Sequence, residues 1–335
     1  MPAPPLTARL LAELEAAGHL PPAQAEAIAI DEATRPFSLH YELRALLYLG
    51  VTLLAGGLGV LIYQNRDTLG QEVITGLMAA AMLASFWYAA RHRPAFTWGE
   101  APRSSIAADY LLLLGCLLLA GLEGYVQYQY GIFGQRYGLV TLLPALVFLP
   151  LAYRYDHRGV LGLAIAAVAA WVGVSTEPLA VLRGELFERE LALPALGLGV
   201  ALVAAGLASE YFRRKPHFAF TYLLAGANLA EVGALGWALA GYSWNRGGGG
   251  AQTVLGLLLA LVLSVGLVWY ARRTQSYLFL LLGVAYGYVA FTLLGLLLLS
   301  DLGDVLWPLA VLYFPLSLGG LVLLLVNMKK ILHRA

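Results

Sequence analysis

Glu123, Gln127 and Tyr130 recur at i, i+4 and i+7, so one helix face carries a carboxylate, an amide and a phenol. Asn228 and Glu231, spaced i, i+3, share a second such face. Both glutamates sit in long apolar runs, where a carboxylate is costly and its helix must hide it or use it. The functional reading is a polar cavity in which the two carboxylates bind a proton, a cation or an amine substrate. Its mechanism would be protonation-linked binding, since a carboxylate holds a cationic substrate only when charged. The structural reading is that each carboxyl group hydrogen-bonds a neighbouring helix while protonated, or snorkels to the interface. Gln135 and Arg136 follow at the start of the next helix, where Arg136 would read an anionic group or anchor the helix end. Asp109 and Glu210 lie near basic helix ends, beside Arg103 and Arg213, and suit snorkelling.

Several chemistries are excluded. The only lysines, Lys215, Lys329 and Lys330, stand at helix ends, so no span offers a Schiff-base lysine. None of the six histidines lies deep in a span, which argues against facing haem ligands. No H-E-x-x-H and no phosphate-binding loop is present, and Leu302-Gly303-Asp304 has no matching second aspartate in a span. Cys116 is the single cysteine and reads as a small buried hydrophobe. The expectation is no catalytic residue, no metal, no cofactor and, at a net charge of +1, no nucleic-acid partner.

The elements that must position these groups are membrane spans. Of 335 residues, 60% are hydrophobic and 12% charged, against about 25% charged in a soluble domain. Apolar runs near 45–63, 71–90, 107–130, 137–153, 159–176, 191–211, 217–241, 252–271, 276–300 and 306–327 predict ten spans. Sixteen of the 21 Lys and Arg fall at the N-terminus, in every second loop and at the C-terminus, which predicts cytoplasmic termini in a bacterial inner membrane. The first basic residues after each even span, Arg91, Arg154, Arg213, Arg272 and Lys329, step by 63, 59, 59 and 57. That step fits five tandem helical hairpins, though any chain of regular hairpins gives an even step.

Residues 1–40 read as a cytoplasmic two-helix module, Leu6–Ala17 and Ala23–Ala33, stopped at Gly18 and restarted at Pro21-Pro22. It is too small to hold a core alone and is expected to dock on the membrane domain, residues 41–335, or on a protein partner. Thr176–Glu190 reads as a helix lying on the membrane surface, and Trp244–Gly250 as an interfacial Trp followed by a four-glycine hinge.

The two-helix module, LYLGVTLLAGGLGVLIYQN at 47–65 and YVQYQYGIFGQ at 125–135, followed by a chain of hairpins, resembles the uncharacterised bacterial predicted-membrane-protein family, domain-of-unknown-function family 2157. The resemblance implies a place in the lipid bilayer and no catalytic residues. The chain therefore reads as an all-α polytopic transmembrane bundle of about ten spans. Its leading function is transport or binding of a small solute, ion or lipid through an intramembrane polar cavity. The alternative is a non-transporting scaffold or assembly factor, whose glycines serve helix packing and whose N-terminal module recruits a partner.

Overall fold

The computed structural model describes residues 11, 14–16, 18–34, 40–64, 71–101, 105–134, 136–176, 189–243, 248–299 and 306–327. The surface helix expected at Thr176–Glu190 and most of the first helix of the N-terminal module lie outside these residues. The chain divides into two units, Met1–Gly57 and Leu58–Ala335. In the first, Gly18 at φ +70° ends a helical turn, with the His19 N–H donating to Leu14 O at 2.9 Å. Helix α1, Pro22–Thr34, then starts on the second proline, where a missing N–H costs nothing.

Among the described residues, ten long apolar helices follow: α2 (His40–Gln64), which crosses the boundary between the units, α3 (Gln71–Arg91), α4 (Ile106–Tyr130), α5 (Gly138–Tyr155), α6 (Arg158–Thr176), α7 (Arg189–Tyr211), α8 (Ala219–Ala240), α9 (Ala251–Thr274), α10 (Tyr277–Leu298) and α11 (Leu306–Val326). Their bounds fall within a few residues of the apolar runs, because in lipid the backbone must satisfy its own polar groups and a helix does so internally. Among the described residues, eight of them, α3–α10, are long and apolar enough to cross a membrane, while α2 and α11 contain the shorter apolar stretches Ala45–Gly57 and Val311–Leu324. The protein is a polytopic helical membrane protein. Of the segment expected to be a hinge, residues 244–247 lie outside the described residues; Gly249 and Gly248 pair antiparallel with Tyr242 and Ser243, giving two short strands, β1 (Tyr242–Ser243) and β2 (Gly248–Gly249), ahead of α9.

Within the second unit the closest hairpins are α3–α4, α5–α6, α7–α8 and α9–α10. Each is joined by a loop on the side that carries Arg91, Arg154, Arg213 and Arg272, here called the basic end. The close-packed pair is thus offset by one helix from the period of the basic residues. Three Arg–Trp stacks mark this end: Arg91 on Trp87 at 4.4 Å, Arg214 on Trp98 at 5.1 Å and Arg273 on Trp269 at 5.8 Å. They are the interfacial belt expected of a membrane bundle.

Helix α8 is the centre of this unit. In the turn and helix Pro216–Ala240, 56% of the apolar window is buried, against 33% or less for every other crossing helix. Its small residues let α7 approach to backbone contact: a Cβ on Gly226 would lie 2.7 Å from Val203 N, and Gly199 and Gly233 face the backbones of Ala230 and Leu196 as closely. Without a hydrophobic drive between helices in lipid, such packing is what associates them. On the other flank, a Cβ on Gly256 of α9 would lie 2.7 Å from Ala238 Cβ. The α8–α9 contact is therefore tightest at the end away from the basic loops.

Candidate functional site

The seventh-span glutamate is fully buried: Glu231 is 0% exposed. It stands twelve residues into α8, ~18 Å from its Ala219 end at ~1.5 Å per residue, which is near the middle of a hydrocarbon core ~30 Å thick. Ser264 Oγ of α9 donates to its Oε1 at 2.9 Å, while Oε2 has no hydrogen-bond partner among the described residues. Asn228, one turn earlier, is fully employed. Its Nδ2 donates to Leu224 O at 2.7 Å and its Oδ1 accepts from Tyr286 OH of α10 at 2.8 Å.

A lateral groove runs over this helix, with α7 and α9 as its walls and α8 as its floor. Its inner part, about 270 Å³, is lined by apolar residues such as Leu207, Leu223, Ala227 and Val262, with Glu231 at the floor and Gly266 in the wall. Among the described residues, no Lys, Arg or His lines it. The cavity is thus apolar with one carboxyl group, rather than the polar cavity expected from sequence. The carboxyl group itself lies fully covered beneath the lining. An outer chamber of about 520 Å³ adjoins at the basic end, shares Leu207, Trp269 and Tyr270, and adds Glu210, Arg273 and Thr274. Tyr270 OH of α9 donates to Glu210 Oε1 of α7 at 2.6 Å, so one hydrogen bond spans the groove where the two chambers meet.

The other sequence candidates lie elsewhere. Glu123 stands near the far end of α4, a helix that packs on α3, α5 and α6, and no residue of α4 lines the groove. Glu123 Oε2 and Tyr125 OH are buried without a hydrogen-bond partner among the described residues. Gln127 holds the following turn closed: its Oε1 accepts from Phe133 N–H at 2.8 Å and its Nε2 donates to Gly134 O at 2.9 Å. The turn itself begins at Gly131, φ +57°. Tyr130 and Arg136 are exposed, and Gln135 lies outside the described residues.

Sequence reasoning missed a buried charged cluster at the basic end. Asp156 closes α5 at φ +59°. Its Oδ1 meets Lys215 Nζ at 2.8 Å and His217 Nε2 at 2.6 Å, and its Oδ2 accepts from Ala101 N–H at 2.6 Å. Lys215 is 1% exposed, sits at φ +54°, and donates its own N–H to Trp98 O at 2.7 Å. Ser209 Oγ donates to Arg214 O at 2.7 Å and Lys215 O at 2.9 Å. Three basic-end loops are thus tied at one carboxylate. Burial alone would raise the Asp156 pKa, but the hydrogen bonds from Ala101 and Lys215 and the charge of His217 outweigh it and hold it below the usual value. Next to it, burial pushes His157 down to about 4, against the opposing influence of the Asp109 backbone and the Asp156 charge. The only sequence signal was a lysine at a helix end, which reads as ordinary charge bias.

Residues 12–161 match the family model described as Predicted membrane protein (DUF2157), the family the sequence resembles. No curated protein and no solved structure matches the chain. The matched stretch includes Glu123 and Asp156 and ends before α7, so the groove and Glu231 lie beyond it.

Proposed function

We propose that this membrane protein binds a small membrane-soluble molecule in the groove over α8, as a carrier or receptor for a solute or lipid, with the basic end on the cytoplasmic side of the inner membrane. The observation that carries this reading is Glu231: a carboxyl group at mid-span, at the floor of a cavity, with one oxygen unpartnered. A buried polar oxygen without a partner costs roughly 1–3 kcal/mol, and a ligand that completes it recovers that cost. The groove is open along its side to lipid, since Val262 and Trp269 on its wall are exposed, and its outer chamber leads to the headgroup level.

The test is labelling of Glu231 by a hydrophobic carbodiimide on the full chain in lipid nanodiscs, read by mass spectrometry, with Glu231→Gln as the blank. Labelling that is lost in Gly266→Leu supports the groove. A Cβ on Gly266 meets nothing within 4 Å, so a larger side chain can start there without a clash and is expected to narrow the cavity. Absence of labelling at every pH refutes the reading. It would favour the scaffold alternative, which has its own observation in the backbone contact between α7 and α8. Partners recruited by residues 1–40 would then be the object of study.

A further inference from the structure

We infer that the ligand of this groove is an amphiphilic amine, a small apolar body carrying one ammonium group that meets Glu231. The inference rests on the groove reading above and adds the charge and shape of the occupant. Three head groups are conceivable for a molecule in this cavity, and the lining separates them. An anion would face the carboxyl group with no Lys, Arg or His in the inner cavity to offset it, and a buried like-charge contact is strongly unfavourable. A neutral alcohol would meet one oxygen but supply no counter-charge. An ammonium that displaces the side chains covering Glu231 supplies both the missing donor to Oε2 and the opposite charge, with Ser264 already holding Oε1 at 2.9 Å.

The aromatic content agrees. Phe279, Tyr270 and Trp269 contribute to the same inner cavity, and ring faces attract cations, increasingly so away from water. A second carboxylate, Glu210, stands on the path from the basic end, where it accepts from Tyr270. The one guanidinium on that path, Arg273, belongs to the outer chamber and lies against the Trp269 ring. An amine therefore meets carboxylates at both stations and a fixed positive charge only outside. The body must be small, because about 270 Å³ is available, just under the lower bound of roughly 300 Å³ for ordinary ligand pockets.

The experiment compares three probes of one chain length on the full protein in nanodiscs at one pH: N,N-dimethyloctylammonium, 1-octanol and 1-octanesulfonate, an anion that does not consume carbodiimide. The tertiary amine carries an N–H donor but cannot form an amide with an activated carboxyl group. Each probe is scored by how far it slows carbodiimide labelling of Glu231. The expected result is about tenfold slowing by the ammonium, a factor worth ~1.4 kcal/mol, with less than twofold by the others, and a smaller ammonium effect in Gly266→Ala, which narrows the cavity without filling it. Equal protection by octanol or octanesulfonate overturns the amine assignment while leaving the groove as a binding site. Intact labelling that no probe slows overturns both.

Discussion

Asp156 draws three donors from two other loops onto one carboxylate, two of them on Oδ1 within 2.8 Å. Removing one member of a buried ion pair leaves the other uncompensated, at a cost of roughly 3–5 kcal/mol. Asp156→Asn, which strands Lys215, is expected to destabilise the protein by that order, read as a lowered denaturation midpoint. Glu100→Ala, which breaks an exposed pair with Arg158 (side chains 65% and 51% exposed), should cost about 1 kcal/mol or less. The pH dependence separates two neighbours. Asp156 has a lowered folded pKa, so its contribution is present above the usual carboxylate range and is lost as pH falls through the folded value. His157 Nδ1 accepts the Val160 N–H at 3.1 Å and caps α6, which a protonated nitrogen cannot do. With its pKa at about 4 in the fold against 6.5 unfolded, only the unfolded chain takes up the proton between those values. Stability therefore falls on acidification across that window, by at most about 1.4 kcal/mol per pH unit. His157→Asn keeps a cap acceptor and should flatten this slope in melts followed from pH 7 to 4. The glutamates were legible because a carboxylate stands out in an apolar run. The Asp156 cluster was not, because its members are 59 and 61 residues apart and each looks like an ordinary charge at a helix end.

Hydropathy located the helices because lipid permits no other backbone solution for a spanning segment. It could not rank them. That α8 is central follows from Gly226 and Gly233 lying against α7 and Ala238 against α9, and glycine-rich apolar text alone does not tell packing from flexibility. Here the α8 glycines are absorbed by packing against α7, so opening of the groove is expected from α9. Two substitutions separate these uses. Gly226→Leu drives a side chain into the α7 backbone and should cost about 1–3 kcal/mol or more, seen as a lower melting temperature and loss of monodispersity in detergent. Gly266→Leu, in a wall with open space beside it, should melt no lower than the wild type. Equal damage by both would mean that the space beside Gly266 is not a usable cavity. The Tyr270–Glu210 bond joins the two walls, so Tyr270→Phe should speed carbodiimide access to Glu231 if this contact restrains α9.

For the second unit as a whole, the charge bias and the helix order make one statement about sidedness. Arg93 precedes the Ile106 end of α4, and Arg136 follows its Tyr130 end. The 25 residues between those ends span ~37 Å at ~1.5 Å per residue, enough to place the two arginines on opposite faces of a bilayer. Lys and Arg tend to be retained on the cytoplasmic side, so the prediction is that Arg93, with the Arg154, Arg213 and Arg272 loops, faces inside and Arg136 outside. The native thiol does not interfere, since Cys116 is 0% exposed. A single cysteine at each exposed position, Arg93→Cys or Arg136→Cys, can then report its side through a membrane-impermeant maleimide. Arg136→Cys should label in intact cells whose outer barrier is permeabilised, and Arg93→Cys only after the inner membrane is opened. The reverse pattern would invert the molecule. The outer chamber with Glu210 and Arg273 would then face away from the cytoplasm, and the groove would collect its ligand from the opposite leaflet.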